Sequence, residues 1–87
     1  MNCKVEKHLA FRRVGEEMYI VDAKASRLHQ LNGTAALIWE GLAAGKKEKA
    51  IAASIAAEFE VDEAAALADL REFAAVLEKH GLLTAAA

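Results

Sequence analysis

The feature that most constrains the fold of this chain is a change in the spacing of its apolar residues after Leu31. From residue 8 to residue 31, β-branched and aromatic residues cluster in short runs, which Gly15-Glu16 and residues 22–26 interrupt. After residue 31 the apolar residues recur at the 3.6-residue period of an α-helix. This order predicts an α+β fold in which a three-stranded antiparallel β-meander precedes three α-helices.

The predicted meander ends in a short strand at the edge of the sheet. Gly15 opens a two-residue connection, which favours a type II′ turn between the first two strands. A second turn at residues 22–26 leaves residues 27–31 as the third strand. Three strands are about the minimum for a stable sheet, so the helices are expected to pack behind it.

Amphipathic stripes and end signals predict the three helices. They cover about residues 33–44, 47–59 and 63–80. Asn32 and Asp62 stand where N-cap side chains accept hydrogen bonds from free amides. Gly45 and Gly81 supply left-handed stops. The predicted buried stripes are Ala35, Ile38, Trp39 and Leu42; Ile51, Ile55 and Phe59; and Ala66, Leu67, Leu70, Phe73, Ala74 and Leu77.

Length and composition fit one small globular domain. The 87 residues are 55% hydrophobic, contain no proline and carry a net charge of −2. We expect a single domain over residues 1–87, with the meander at 8–31, the helical part at 32–83 and a loose tail at 84–87. No stretch approaches the ~18 apolar residues of a membrane span, and an apolar signal region is missing, so we expect a cytoplasmic protein without membrane contact.

The sequence lacks the spacings of metal sites and catalytic sites. His8, His29 and His80 share no metal-ligand spacing with one another or with Cys3, the single cysteine. The serines and Thr34 lie outside any glycine-rich nucleophile elbow. We therefore expect no metal, no cofactor and no enzymatic activity.

A sheet followed by three helices also fits a winged-helix DNA-binding regulator. The charges of helix 3 argue against this alternative, because its acidic residues outnumber the basic ones and would repel phosphates. The acidic residues are Asp62, Glu63, Asp69, Glu72 and Glu78, against Arg71 and Lys79. The net charge of −2 does not attract nucleic acid either. A structural accessory subunit of an enzyme complex is a third interpretation.

The edge of the predicted sheet is the remaining candidate for function. The strand at residues 27–31 leaves unpaired amides and carbonyls, to which an extended peptide can add as a further strand. The same edge can pair two copies as a homodimer. Arg27 and Gln30 can instead blunt it, and the residues alone leave these alternatives open.

The strongest motif is the run LNGTAALIW at residues 31–39. Together with Gly45, Val61-Asp62 and Gly81-Leu82-Leu83, this run resembles the PqqD-like family, whose typical segment is LNxTAxxIW. The resemblance covers nearly the whole chain. Where many relatives open helix 2 with threonine or serine, this chain has lysines, so that helix lacks its usual cap and is expected to start late.

The resemblance implies a RiPP recognition element, a small domain that binds the leader of a ribosomally made precursor peptide and presents it to a modifying enzyme. It implies a winged helix-turn-helix-like arrangement, with the leader antiparallel to the third strand in a groove beside helix 3. The partner enzyme would be a radical SAM enzyme, and pyrroloquinoline quinone biosynthesis is one of several pathways that fit.

The resemblance and the helical period together give the expected contact residues. The third strand would contribute Arg27, Leu28, His29, Gln30 and Leu31. The outward face of helix 3, which remains once the core stripe is removed, would contribute Ala68, Arg71, Glu72, Ala75 and Lys79. Among these, Arg71 would select an acidic leader.

Overall fold

The computed structural model describes residues 3–85 and has the predicted α+β order. Its elements are β1 (Cys3–Val5), β2 (Ala10–Val14), β3 (Glu17–Asp22), β4 (Arg27–Asn32), α1 (Gly33–Ala43), α2 (Glu48–Phe59), α3 (Glu63–Lys79) and β5 (Leu83–Ala85). Strands β2, β3 and β4 form an antiparallel sheet in that order, which confirms the predicted meander. Strands β1 and β5 pair with each other as a separate two-stranded ribbon.

The ribbon corrects the expectation of a loose tail from residue 84. Thr84 pairs with Lys4, and Ala85 pairs with Cys3, so both tail residues belong to a strand. The ribbon is fixed by pairing between the two ends of the chain and by packing of β5 on α3. Such contacts leave no periodic signal in so short a strand. Residues 86–87, the rest of the expected tail, lie outside the described residues.

The two turns of the meander have the backbone that their residues favour. Gly15 has a φ of +64°, whereas Glu16 keeps a negative φ, and this combination is that of the predicted type II′ turn. In the second turn, the buried carboxylate of Asp22 accepts a hydrogen bond from the backbone N–H of Ala25 at 3.2 Å. Asp22 also bonds His8 Nε2 at 3.1 Å, which ties the segment before β2 to this turn.

Helix α1 lies at the centre of the packing. It contacts β1, β3, β4 and α2, and its residues Ile38 and Trp39 are almost fully buried. At the crossing with α2, a Cβ built on Gly41 would lie 2.7 Å from Ile51 Cγ1. The absence of a side chain at Gly41 is therefore what allows α2 to approach α1 this closely.

The helix ends differ from the predicted capping pattern. Asn32 and Asp62 occupy N-cap positions, but neither side chain makes a capping hydrogen bond, so that part of the prediction is wrong. Asn32 is also the last residue of β4, and the strand fixes the direction of its side chain. Helix α2 begins at Glu48, one residue later than the predicted range of 47–59, and the residue before it, Lys47, makes no capping hydrogen bond. Gly45 and Gly81, which the sequence predicts to end α1 and α3 in a left-handed conformation, both have a φ of +76°.

The predicted core is confirmed except at four residues: Ala35, Leu67 and Phe73 are only partly buried, and Phe59 is exposed. Phe59 is 39% exposed and is the last residue of α2. The largest fully buried side chains are Trp39, Ile20, Ile38, Ile51, Ile55, Leu70 and Leu82.

Replacing Trp39 or Leu70 by alanine is expected to lower the free energy of unfolding by about 3 to 5 kcal/mol, since each substitution empties a fully buried position. Phe59→Ala is the matched control and is expected to cost less than about 2 kcal/mol, because part of that ring already contacts water. Urea denaturation followed by circular dichroism measures all three. Equal losses for Phe59→Ala and Trp39→Ala would contradict the assigned helix faces.

Candidate functional site

Strand β4 is a free edge of the sheet. Within residues 3–85 it pairs with β3 on one side and with no strand on the other. The direction of its backbone groups follows from the β2–β3 hairpin, because a two-residue hairpin closes on a hydrogen-bonded pair, here Val14 and Glu17. Backbone groups alternate in direction along a strand. The odd-numbered residues of β3 therefore bond to β2, and its even-numbered residues bond to β4.

This alternation identifies which groups of β4 are free. The even-numbered β3 residues Met18 and Ile20 oppose Leu31 and His29, whose backbone groups are therefore used within the sheet. The backbone N–H and C=O groups of Leu28 and Gln30 consequently point away from β3, toward the open edge.

The side chains of β4 alternate between two surfaces. His29 and Leu31 are partly buried on the face that the helices cover, whereas Leu28 and Gln30 are exposed on the outer face. Gln30 Nε2 donates to Glu17 Oε2 at 2.6 Å, and the same oxygen accepts from the Tyr19 hydroxyl at 2.6 Å. The bond to Glu17 raises the pKa of Tyr19. The bond to Glu17 on the neighbouring strand thus holds the Gln30 side chain against the outer face of the sheet.

A groove of about 380 Å³ lies between α1 and α3, where β4 runs into α1. Its lining residues are Thr34, Ala35, Ile38, Asp69, Glu72, Phe73 and Val76. Four of them, Ala35, Ile38, Phe73 and Val76, are apolar, and two, Asp69 and Glu72, are acidic. The groove therefore combines apolar surface with an acidic margin supplied by α3.

Helix α3 runs alongside β4 in the opposite direction. The His80 ring, just after α3, lies with its centroid 6.4 Å from that of His29. At the other end of β4, Thr34 lines the groove together with Phe73 and Val76. A strand added to β4 would therefore lie between the open edge and α3, with every second side chain directed toward the groove.

A second groove, of about 610 Å³, lies beside β2, the other edge of the sheet. Its apolar lining includes the exposed Phe11 and the partly buried Leu37. The guanidinium of Arg13 and the carboxylate of Glu40 form a bidentate pair at this groove, with an Nε to Oε2 distance of 2.9 Å. The pair lowers the pKa of Glu40. The charges of Arg13 and Glu40 therefore compensate each other.

Side chains that bind metal ions do not converge in the described part of the chain. No three His, Cys, Asp or Glu side chains of residues 3–85 lie close enough to hold a metal ion. The Ser54 hydroxyl donates to the Ala50 carbonyl at 3.1 Å within its own helix. None of the helices that the structure describes is long and apolar enough to cross a membrane.

Comparison with known proteins identifies the family. The family model for coenzyme PQQ synthesis protein D (PqqD) matches residues 17–83, from the first residue of β3 to the first residue of β5. This chain belongs to the PqqD family. No curated protein sequence matches the chain significantly.

Two solved structures share the PqqD-family fold seen in this chain. The structure of TbiB1 in complex with the TbiA(beta) leader peptide superposes with a TM-score of 0.88 at 26% identity, covering 97% of this chain and 98% of that one. The structure of lasso peptide synthetase B1 complexed with the leader peptide has a TM-score of 0.85 at 24% identity and covers 97% and 99% of the two chains. The predicted winged helix-turn-helix-like PqqD fold is confirmed.

The structure separates the α3 residues that the sequence grouped together. Of the five expected contacts in this PqqD-family chain, only Glu72 lines the groove. Arg71 turns toward α2, where its Nε and Nη2 donate to Glu48 Oε1 at 3.1 and 2.6 Å. The other three, Ala68, Ala75 and Lys79, are exposed and do not line it. Their role in binding a peptide stays a prediction.

The sequence interpretation missed the groove residues Thr34, Ala35 and Ile38 of α1 and, on α3, Asp69, Phe73 and Val76. The three α3 residues lie on the flank between its core stripe and its outward face. The helical stripe predicts Phe73 in the core, and its partial burial fits a position at the boundary. Val76 is the residue that could have indicated this flank from the sequence. As an apolar side chain three residues beyond Phe73, it widens the apolar stripe of α3 toward one side.

The bond between Arg71 and Glu48 predicts a dependence of stability on pH. The hydrogen bond from Arg71 lowers the pKa of Glu48 below its ordinary value of 4.5. A carboxyl group whose pKa is lowered by folding stabilises the fold above its unfolded pKa, and this contribution is lost as the pH falls through the folded pKa. Glu40, paired with Arg13, acts in the same direction.

We therefore expect the melting temperature to fall as the pH drops below about 4.5. Arg71→Gln should lower the melting temperature at pH 7 and flatten its decline in acid, because Glu48 loses this donor. Lys79→Gln removes a positive charge from the same helix without touching Glu48 and serves as the control. Thermal melts between pH 3 and 7 measure the effect, and identical pH profiles for the two variants would contradict it.

Proposed function

We propose that this chain binds the leader segment of a ribosomally synthesised precursor peptide and presents it to a separate modifying enzyme, without chemistry of its own. The observation that carries the proposal is the open edge of β4 beside the apolar groove of α1 and α3. Membership of the PqqD family supports it. The 26% identical TbiB1, whose structure is a complex with a leader peptide, supports it further.

Binding would occur by strand addition. The free N–H and C=O groups of Leu28 and Gln30 can bond an antiparallel peptide without disturbing the pairs between β4 and β3. The main chain of the leader would supply affinity in this arrangement. Selectivity would come from the leader side chains that oppose His29 and Leu31, because these project toward α3.

The groove favours a leader that combines an apolar residue with a basic one. Phe73 and Val76, which lie over the buried Ile38, provide a surface for an aliphatic or aromatic side chain. Asp69 and Glu72 provide negative charge beside it. This selection is opposite in sign to the acidic leader expected from Arg71, because the guanidinium of Arg71 is bonded to Glu48 on the other flank of α3.

Presentation of the leader requires no catalytic residue. Holding the leader raises the effective concentration of the attached core peptide at the active site of the partner. We assign this step to the cytoplasm, where ribosomes make the precursor. As the partner we propose a radical SAM enzyme, the enzyme class that most often acts with members of this family.

Gln30→Pro is expected to abolish leader binding, because proline removes the outward N–H at the centre of the open edge. Gln30→Ala removes only the side chain and its bond to Glu17, so it should bind the leader within about twofold of the unaltered chain. Titration calorimetry with the precursor leader encoded beside this gene measures both. Equal affinities for the proline and alanine variants would rule out strand addition at β4.

Glu72→Lys is expected to weaken binding of a basic leader about three- to tenfold at low salt, and less at high salt, since it reverses a charge at the groove. Glu78→Lys makes the same change of charge on α3 at a residue outside the groove lining and is the control. Titrations at two salt concentrations give the comparison. Equal losses in both variants would mean that the groove charge does not select the leader.

A further inference from the structure

The outer face of the sheet, which the helices leave uncovered, carries an exposed apolar row. Ala10, Val21 and Leu28 oppose one another across the three strands. Val21 is 46% exposed and Leu28 is 66% exposed. Leu28 lies at the end of the row on β4, so the row stops at the open edge.

A strand added to β4 would extend this row. Residues that oppose each other in an antiparallel pair project from the same face of the sheet, with Cβ atoms about 4.5 to 5.5 Å apart. The leader residue opposite Leu28 would therefore lie on the outer face, beside Leu28. The leader residues opposite His29 and Leu31 would lie on the other face, toward α3.

The next cross-strand row of the outer face, formed by Arg12, Tyr19 and Gln30, offers no comparable apolar contact. Gln30 donates its side-chain amide to Glu17, and the Tyr19 hydroxyl donates to the same carboxylate. These polar groups are already bonded to one another. Leu28 is thus the one β4 side chain on this face that is both apolar and largely uncovered.

We infer that the chain reads its leader on both faces of the extended sheet, and that the outer face selects a large apolar leader residue opposite Leu28. This inference rests on the proposed function. The register fixes the spacing, because in an antiparallel pairing the residue opposite Leu28 follows the groove residue opposite Leu31 by three positions. The recognised leader segment therefore has an apolar groove residue and, three residues later, an apolar outer residue.

Leu28→Thr tests the outer contact. Threonine keeps a side chain that favours strands but removes most of the apolar surface, and we expect leader affinity to fall about three- to fivefold. Val14→Thr is the matched control, because Val14 is 56% exposed on the same face but lies on β2, away from the leader. Its affinity should equal that of the unaltered chain. Thermal melts verify that both variants are folded.

The leader supplies the second half of the experiment. Replacing its outer residue by serine should weaken binding to the unaltered chain and have almost no further effect on Leu28→Thr, as expected for two groups in direct contact. The probe is the leader peptide encoded beside this gene, with the TbiA(beta) leader as a second probe. Titration calorimetry gives the affinities of all four combinations.

The outcomes separate this inference from the proposed function. If Leu28→Thr binds as tightly as the unaltered chain while Gln30→Pro does not bind, the outer-face contact is refuted and strand addition stands. Additive losses in Leu28→Thr and the serine leader would also refute direct contact. If the unaltered chain binds neither leader, the proposed function fails, and the inference fails with it.

Discussion

Burial of Trp39 beneath the β2–β3 hairpin is the interaction on which the arrangement of the site depends. The indole is fully buried, and the Phe11 ring packs against it edge to face, with 5.5 Å between the ring centroids. Trp39 sits in the middle of α1, so its burial fixes α1 against the sheet. Because α1 follows β4 without an intervening loop, the same contact fixes one wall of the groove relative to the open edge. The free backbone groups and the apolar groove are thus parts of one rigid unit.

Much of the fold could be predicted from local patterns, because most of its elements are amphipathic. The period change after Leu31 located the boundary between sheet and helices to within one residue. Two of the errors, the burial of Phe59 and the loose tail, concern features that local patterns do not encode. The exposure of Phe59 depends on where the covering layer ends. The β1–β5 ribbon depends on two chain ends meeting across the whole domain.

The candidate site was predictable in part. A meander order makes its last strand an edge, so β4 and its residues followed from the sequence. The groove face of α3 did not, because a helical period gives the core stripe but leaves open which flank faces a neighbour. That choice is made by packing against α2, where Arg71 bonds Glu48 and turns one flank away from β4. The opposite flank, with Phe73 and Val76, is left to line the groove.

The paired terminal strands determine how this domain can be joined to other chains. In the β1–β5 ribbon Cys3 lies directly opposite Ala85, so the two ends of the described chain are separated by about one strand spacing. A host protein can therefore carry the domain as an insertion within a surface loop, with only a short linker on each side. For the same reason a few residues can join the ends, with new termini opened at Gly15-Glu16, giving a circular permutant in which the β4 edge stays intact.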